Sequence, residues 1–457
     1  MLNSIDFSGR PFHFIGIGGI GMSAIAHILV GRGFPVSGSD ISCNGSTNRL
    51  RNLGVTVYQG HHADHIDPQR SPQVVYSSAI AERNPELTAA QRLGLPVFHR
   101  SDLLAALIAQ TDSIAVAGTH GKTTTSSLIG FLLLQAGLDP AIVVGGEVNA
   151  WQGNARLGSG PLVAEADESD GSFVKFAPKI GVVTNIELDH PDRYRSLTET
   201  VKCFREFAAR CQQVIGCLDD ANIREHLRPQ TGYSLEDPKA DYFASDIRLG
   251  ADGTQATIWE RGEILGTASL TLLGKHNLSN ALAAIATVRH FGVPWAAIEP
   301  ALSEFVGARR RFEVRGTEGG ITFVDDYAHH PSEVQATLAA AKLQQRRVVA
   351  VFQPHRYSRI QQFWREFAQS FAHADVVICT EVYSAGEAPA DVGGEHLAAA
   401  IAEFHPQVKY CESLSQVQES LREILHPGDL VLFLGAGNLN QVIPAAMQDV
   451  ACSSSHR

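Results

Sequence analysis

Short apolar runs, each closed by glycine, small hydroxyl or charged residues, recur along the chain and alternate with helix-like stretches. Phe12 to Ile17, Val55 to Tyr58 and Val74 to Ser78 read as strands, and Ser37-Gly38-Ser39-Asp40 ends another. Glu86 to Leu93 and Asp102 to Ala109 read as helices, and a first unit closes at Gln110–Asp112. Ile114 to Ala117 is a buried strand, followed by a helix with apolar residues at Leu128, Ile129, Leu132 and Leu133. Pro161 to Asp170 and Ile180 to Thr184 supply two more strands, and Ala281 to Thr287 an Ala-rich helix. In the last third, Ile321 to Val324, Arg347 to Phe352, Val376 to Thr380 and Leu430 to Leu434 each lead into a polar motif. Strands alternating with helices predict α/β units whose crevices lie at the carboxyl ends of the strands.

The polar segments that leave these strands carry the chemistry. Gly118-Thr119-His120-Gly121-Lys122-Thr123-Thr124 lies between the strand at 114 and the next helix. Backbone N–H groups at such a helix start point at an anion, and the dipole favours negative charge. Lys122 can reach the terminal phosphates of ATP, and the Thr123 hydroxyl is placed for Mg²⁺. The loop is shorter than the standard phosphate loop, with Val116 where the first glycine is usual.

A second glycine-rich turn, Gly16, Gly18, Gly19 and Gly21, opens a helix after the first strand, with Asp40 about twenty residues on. It reads as a diphosphate cradle, and its simplest ligand is NAD; a tight turn packed under a helix is the alternative. Ser77 and Ser78 sit at a strand end that faces the same crevice. Glu165, Asp167, Glu168 and Asp170 cluster at a strand tip, where carboxylates can hold Mg²⁺ or orient water. His190 comes directly after Asp189 at the next tip, and function and structure explain it equally well. Asn277 and Asn280 precede the Ala-rich helix; Asn280 suits a helix cap as well as an adenine contact. Arg309-Arg310-Arg311 marks a junction, where guanidinium forks suit phosphate and the alternative is a solvated basic turn.

At 457 residues the chain is long for one core, so two or three domains are expected. A net charge of −11 argues against a nucleic-acid platform. No apolar run is long enough for a membrane span, and Met1 to Arg10 lacks the pattern of a signal peptide. The seven cysteines include no Cys-x-x-Cys pair, which suits reduced thiols in a cytoplasm and argues against a zinc site. Ser453 to Arg457 reads as a short polar tail.

Two phosphate loops in one chain need two ligands. A dehydrogenase leaves the Lys122 loop without a task, and a simple ATPase leaves the Gly16 loop without one. A nucleotide-tethered acid activated by ATP for attack by an amine uses both. A non-catalytic nucleotide-binding regulator is the remaining alternative. His13 to Met22, Gly118 to Thr124, Ala166 to Asp170, Asp325 to Pro331, Gln353 to Arg359 and Val382 to Pro389 occur in an order that resembles the ATP-dependent muramyl ligases of peptidoglycan synthesis. The resemblance covers nearly the whole chain.

It implies an α/β protein of three domains. These are an N-terminal Rossmann-like domain for the UDP substrate (1–112), a central P-loop ATPase-like domain with a mostly parallel sheet (113–308), and a C-terminal Rossmann-like domain (309–457). Gly16 to Gly21 would take the diphosphate, with Asp40, His61, Ser77 and Ser78 near the uridine. Residues 118–124 would bind ATP, with Asn277 and Asn280 at adenine and Arg311 and Asp326 clasping from the third domain. Thr123, Glu168 and His190 would hold Mg²⁺. Tyr327, His329, His355, Arg356 and Arg359 would form the amino-acid pocket, and Lys122, Glu168, His190 and His329 the catalytic set. The L-alanine-adding branch is the nearest, with UDP-N-acetylmuramate and L-alanine as substrates; addition of a whole tripeptide is the runner-up. Sister ligases carry a carbamylated lysine where this chain has Arg205, with Lys202 nearby. We expect a cytoplasmic monomer or weak homodimer with no nucleic-acid or membrane partner.

Overall fold

Three sheets succeed one another along the chain, and each puts its polar motifs at the carboxyl ends of its strands. The structure, a computed structural model, describes residues 4–454. The first sheet contains β1 (Phe12–Ile15), β2 (Val36–Asp40), β3 (Thr56–Gln59), β4 (Gln73–Tyr76) and β5 (Val97–His99). Their order is β3-β2-β1-β4-β5, all parallel. The winding reverses between β1 and β4, which opens a crevice above their carboxyl ends. The glycine loop leaves β1, and Ser77-Ser78 leaves β4.

The second sheet contains β6 (Ser113–Ala117), β7 (Ala141–Val148), β8 (Gly153–Arg156), β9 (Leu162–Glu165), β10 (Ile180–Val183), β11 (Gln213–Cys217), β12 (Thr231–Ser234), β13 (Tyr242–Gly250), β14 (Gly253–Glu260) and β15 (Glu263–Leu270). The order is β15-β14-β13-β12-β11-β10-β6-β9-β7-β8. Strands β10, β6 and β9 are adjacent and parallel, with Ala117 opposite Val183 and Val116 opposite Glu165. That register brings the phosphate loop, the Glu165–Asp170 carboxylates and His190 to one rim. The antiparallel edge β13-β14-β15 has no clear signature in the sequence. Its last turn is Arg261-Gly262, whose φ angles of 51° and 85° suit a type I′ hairpin.

The third sheet contains β16 (Glu313–Glu318), β17 (Ile321–Asp326), β18 (Val348–Phe352), β19 (Val376–Thr380), β20 (Val408–Cys411) and β21 (Leu430–Leu434), ordered β16-β17-β21-β18-β19-β20. All neighbours are parallel except β16 with β17. The strands β17, β18, β19 and β21 are the four expected; β16 and β20 extend the sheet.

One apolar core runs continuously from the first sheet through the second, from Phe12 to Ala308. The third sheet has separate cores on its two faces, and Leu188 is the apolar residue of the second domain that packs onto one of them. The contact between second and third domains is otherwise largely polar, the composition expected of a seam that can part. The final helix, Ile443–Ser454, takes up the first two residues of the expected tail, and residues 455–457 lie outside the described residues, as do 1–3. No helix among the described residues is long and apolar enough to cross a membrane.

Candidate active site

The loop between β6 and the helix Lys122–Gln135 owes its path to two glycines. Gly118 has φ 141° and Gly121 φ 79°. A Cβ on the first would collide with the Thr184 hydroxyl, and one on the second with the Asn280 amide. Lys122 Nζ folds back to donate to the carbonyls of Gly118 (2.7 Å) and Thr119 (3.0 Å), and pairs with Glu168 at 2.7 Å. Burial opposes its charge, but Glu168, Asp167 and Glu165 outweigh it and raise the pKa above the usual lysine value.

Thr123 Oγ1 donates to Glu165 at 3.0 Å, and the Gly145 N–H donates to the same carboxylate at 2.7 Å. Burial raises the Glu165 pKa despite Lys122 nearby. His190 Nε2 lies 3.5 Å from Glu168, and the His190 backbone is left-handed at φ 53°. Burial opposes its protonation; Glu168 and Asp189 prevail and raise its pKa. Of the expected metal ligands, Glu168 and His190 thus come together, while Thr123 faces Glu165. Two carboxylates, Glu168 buried and Glu165 half-buried, with a hydroxyl around one lysine form a hard-oxygen set that fits Mg²⁺.

Above the first sheet, Gly16, Gly18 and Gly19 shape the turn before the helix Ile20–Gly31, and Gly21 lies in its first turn. Asp40 differs from expectation. Its Oδ2 accepts from the Gly18 N–H at 2.8 Å and its Oδ1 from Ser42 N–H at 3.1 Å, so it braces the turn from β2. His61 also turns inward, its Nδ1 2.9 Å from Ser39 Oγ. It lies beside Glu86, which is fully buried and gathers His13 (3.0 Å), Ser39 (2.7 Å) and His65 (2.8 Å). Burial opposes ionisation of Glu86, yet these partners bring its pKa down to about 2. Arg100 lies over the helix start at Gly21 and pairs with Asp170 at 3.3 Å.

In the third domain, Asp326 accepts from the N–H groups of Phe312 (2.7 Å) and Ala328 (2.8 Å), and burial lifts its pKa to about 6. Arg311 lies over the Tyr327 ring at 5.3 Å. His329 Nδ1 is 2.9 Å from the Tyr327 carbonyl; donation there leaves Nε2 with a free lone pair. Burial lowers the His329 pKa to about 4 and that of His355 to about 3. Arg359 is 2% exposed, and its fork donates to Asp189 at 3.0 and 3.2 Å. Arg356, with φ 70°, reaches Asp192 at 2.8 Å. The two arginines expected at an amino-acid carboxylate therefore meet second-domain carboxylates instead, Arg359 completely and Arg356 at its exposed end. Asp189 stands out in the sequence only as a neighbour of His190; its partner lies 170 residues away.

These parts surround one cleft of about 1380 Å³. Gly18, Gly21 and Ser78 line it from the first domain, Gly121, Lys122, Thr123 and His190 from the second, and Tyr327, His329 and Arg356 from the third. A recess of about 270 Å³ adjoins it, with Asn277, Asn280 and Asp326 in its wall. The helix there is Lys275–Arg289 with Gly274 at its cap, so Asn280 is an interior residue and not a cap. His120, Gly121, Arg311 and Glu333 line both spaces. Arg205 and Lys202 lie exposed on the helix Leu197–Ala208.

His120 bridges the seam between domains. Its Nδ1 is 3.1 Å from Glu333 and its Nε2 3.4 Å from Glu187. Burial opposes its charge, but the two carboxylates raise its pKa to about 10. A histidine whose pKa rises on folding contributes stability in full below its unfolded value of 6.5, and loses it as pH climbs to about 10. Thermal stability should decline across that window, and His120→Gln should flatten the decline in melts recorded at several pH values. An identical pH profile in the variant would contradict the pairing.

Comparison with known proteins agrees with this geometry. The profile described as Mur ligase family, catalytic domain, matches residues 11–111, the Mur ligase middle domain 116–288, and the Mur ligase, glutamate ligase domain 310–437. The chain belongs to the Mur ligase family. Among its relatives, the UDP-N-acetylmuramate–L-alanine ligase of Nostoc punctiforme is 58% identical over 97% of each chain. That of a Cyanothece species is 57% identical over 97% of this chain and 96% of its own. Among solved structures, the UDP-N-acetylmuramate–alanine ligase of Thermotoga maritima aligns with a TM-score of 0.82 at 29% identity, covering 98% of this chain and 100% of the other. A murein peptide ligase from Psychrobacter arcticus aligns at 0.70 and 26%, covering 97% and 99%.

Proposed function

We propose that this chain joins L-alanine to the lactyl carboxylate of UDP-N-acetylmuramate in peptidoglycan synthesis, consuming ATP and releasing ADP and phosphate. One observation carries the reading: both glycine loops and the third-domain motifs line the same cleft. The relatives with the same name, alike over nearly their whole length, support it. ATP, reduced thiols and a nucleotide-linked substrate suit the cytoplasm.

An oxide dianion is too poor a leaving group for an amine to displace, so the carboxylate is first phosphorylated. Its oxygen attacks the γ-phosphorus of ATP, ADP leaves, and an acyl phosphate forms. The α-amine then attacks the acyl carbon, and phosphate departs with one carboxylate oxygen. Lys122, released from Glu168, holds the β/γ-phosphates in line. Thr123, Glu165, Glu168 and His190 would hold Mg²⁺, which would supply charge neutralisation on the transferring phosphoryl group. Asn277 and Asn280 face adenine in the recess, and Arg311 with Asp326 closes over the nucleotide. His329 Nε2, kept neutral by burial, accepts a hydrogen bond from the attacking alanine amine and so orients its lone pair. Arg356 takes the alanine carboxylate in exchange for Asp192, with Tyr327 and His355 as walls, while Arg359 positions Asp189 and His190. Gly16 to Gly21, Arg100 and Ser78 hold the UDP end; Asp40, His61 and Ser77 support it from behind.

Product analysis with UDP-N-acetylmuramate, ATP and a panel of acceptors tests the reading. Alanine should give product and the tripeptide little; the reverse outcome would transfer the chain to the recycling ligases. Arg356→Ala should raise KM for alanine by about 10²-fold with a smaller effect on kcat. An unchanged KM would remove Arg356 from the pocket.

A further inference from the structure

The side chains of His120, Glu187 and His330 have no step in the transfer proposed above, although the His120 backbone belongs to the phosphate loop, yet they converge. One ligand atom from each, two imidazole nitrogens and a carboxylate oxygen, all lie within 4.8 Å of one another. We infer that they form a site for a divalent cation of the zinc class, stapling the third domain to the phosphate loop. The site does not depend on the reaction assigned to the cleft.

The spacing supports it. Ligands about 2.0–2.1 Å from a tetrahedral ion stand roughly 3.3–3.4 Å apart. His120 Nε2 is already 3.4 Å from Glu187 Oε2 and His330 Nδ1 is 3.9 Å from the same oxygen, so these two spacings lie within about half an ångström of the tetrahedral value, and the third is under 4.8 Å. His120 Nε2 is buried with no hydrogen-bond partner closer than the Glu187 oxygen at 3.4 Å, and the ion would displace the proton that faces that carboxylate. His330 Nδ1 receives only a long 3.3 Å contact from the Ser332 N–H, which the ion would replace.

The outer contacts that orient metal ligands are also present. His120 Nδ1 faces the Glu333 carboxylate at 3.1 Å, the carboxylate–histidine arrangement that fixes the tautomer and aims Nε2 at a metal. Ser332 Oγ donates to Glu187 Oε2 at 2.7 Å. Two imidazoles with one carboxylate favour zinc-class ions over magnesium, whose preference is for oxygen alone. This separates the cluster from Thr123, Glu165 and Glu168. The adjoining recess, lined by His120, Glu187 and Ser332, provides the way in. Occupancy would tie the turn after β6, the turn after β10 and the turn after β17 into one body.

The test titrates the full chain, freed of metal by chelation, with Co²⁺ as a spectroscopic probe and then with Zn²⁺ by calorimetry. We expect one equivalent of Co²⁺ to give the intense visible absorption of a low-coordinate site, and Zn²⁺ to displace it. Glu187→Gln, which preserves volume, and His330→Ala should each weaken binding by at least about tenfold, with circular dichroism confirming that each variant is folded. With 19 histidines in the chain, binding elsewhere must be told apart from binding here. Affinity unchanged in Glu187→Gln would place the ion at other histidines and overturn the inference. A weak, octahedral Co²⁺ spectrum in the parent chain would overturn it as well.

Discussion

Lys122→Ala is expected to lower kcat by about 10³-fold or more, because phosphoryl transfer relies on positioned positive charge. The loss should appear equally in phosphate release and in product, since both depend on the same first step. The substitution also leaves Glu168, 1% exposed, with His190 at 3.5 Å as its nearest cationic partner. That loss should cost about 1–3 kcal/mol, visible as a lower melting temperature with the circular dichroism spectrum retained. Turnover within tenfold of the parent would show that the loop at 118–124 does not hold the reacting phosphates.

The second large effect lies at the seam. Arg359 and Asp189 are both nearly sealed from solvent and come from different domains. Breaking such a pair leaves a buried charge uncompensated and costs about 3–5 kcal/mol. Arg359→Ala should therefore loosen the third domain, and kcat should fall by about 10²-fold as His190 loses the anchor one residue away. Arg359→Lys should not restore activity, because an ammonium cannot make the two-point contact of the fork. Burial opposes ionisation of Asp189, but Arg359 foremost, then His190, holds its pKa well below the usual carboxylate value. A depressed carboxylate contributes stability above its unfolded pKa, near 3.8, and loses it as pH falls below. Small-angle scattering and activity, measured on both variants, check the two halves of this account. Parent-like kcat in Arg359→Ala would reduce the pair to packing.

The strand-tip motifs are legible because an apolar run that ends abruptly in polar residues marks the carboxyl edge of a parallel strand. Hence Lys122 and the Glu165–Asp170 carboxylates can be named from that pattern alone. His190 needs the family resemblance to decide it, and His329 and Arg356 come only from that resemblance. Lys122, His190, His329 and Arg356 line one cleft, with Glu168 paired behind Lys122. What spacing does not encode is which side chains meet across domains. Asp189 with Arg359 and His120 with Glu333 are distant in sequence, and only the packing of the third sheet joins them. Glu165 and Glu168 leave the same strand; the turn after β9 decides that Thr123 meets the first and Lys122 the second. Asp40 stands where a ribose-binding acid is usual, but the close approach at Gly18 gives it a backbone N–H to hold. The strands β13 to β15 escape a sequence reading because Tyr242 to Leu270 mixes half-exposed apolar positions with charges. An edge sheet wet on one face produces that pattern and no continuous apolar run.

The central claim is that the cleft lets a phosphoryl group pass from ATP to the carboxylate of a UDP-bound acid. UDP-N-acetylmuramate labelled with heavy oxygen in its lactyl carboxylate tests it directly. Mass spectrometry of the released phosphate should find one labelled oxygen in each phosphate, and the amide product should keep the other. Phosphate free of label, with both heavy oxygens accounted for elsewhere, would contradict the account.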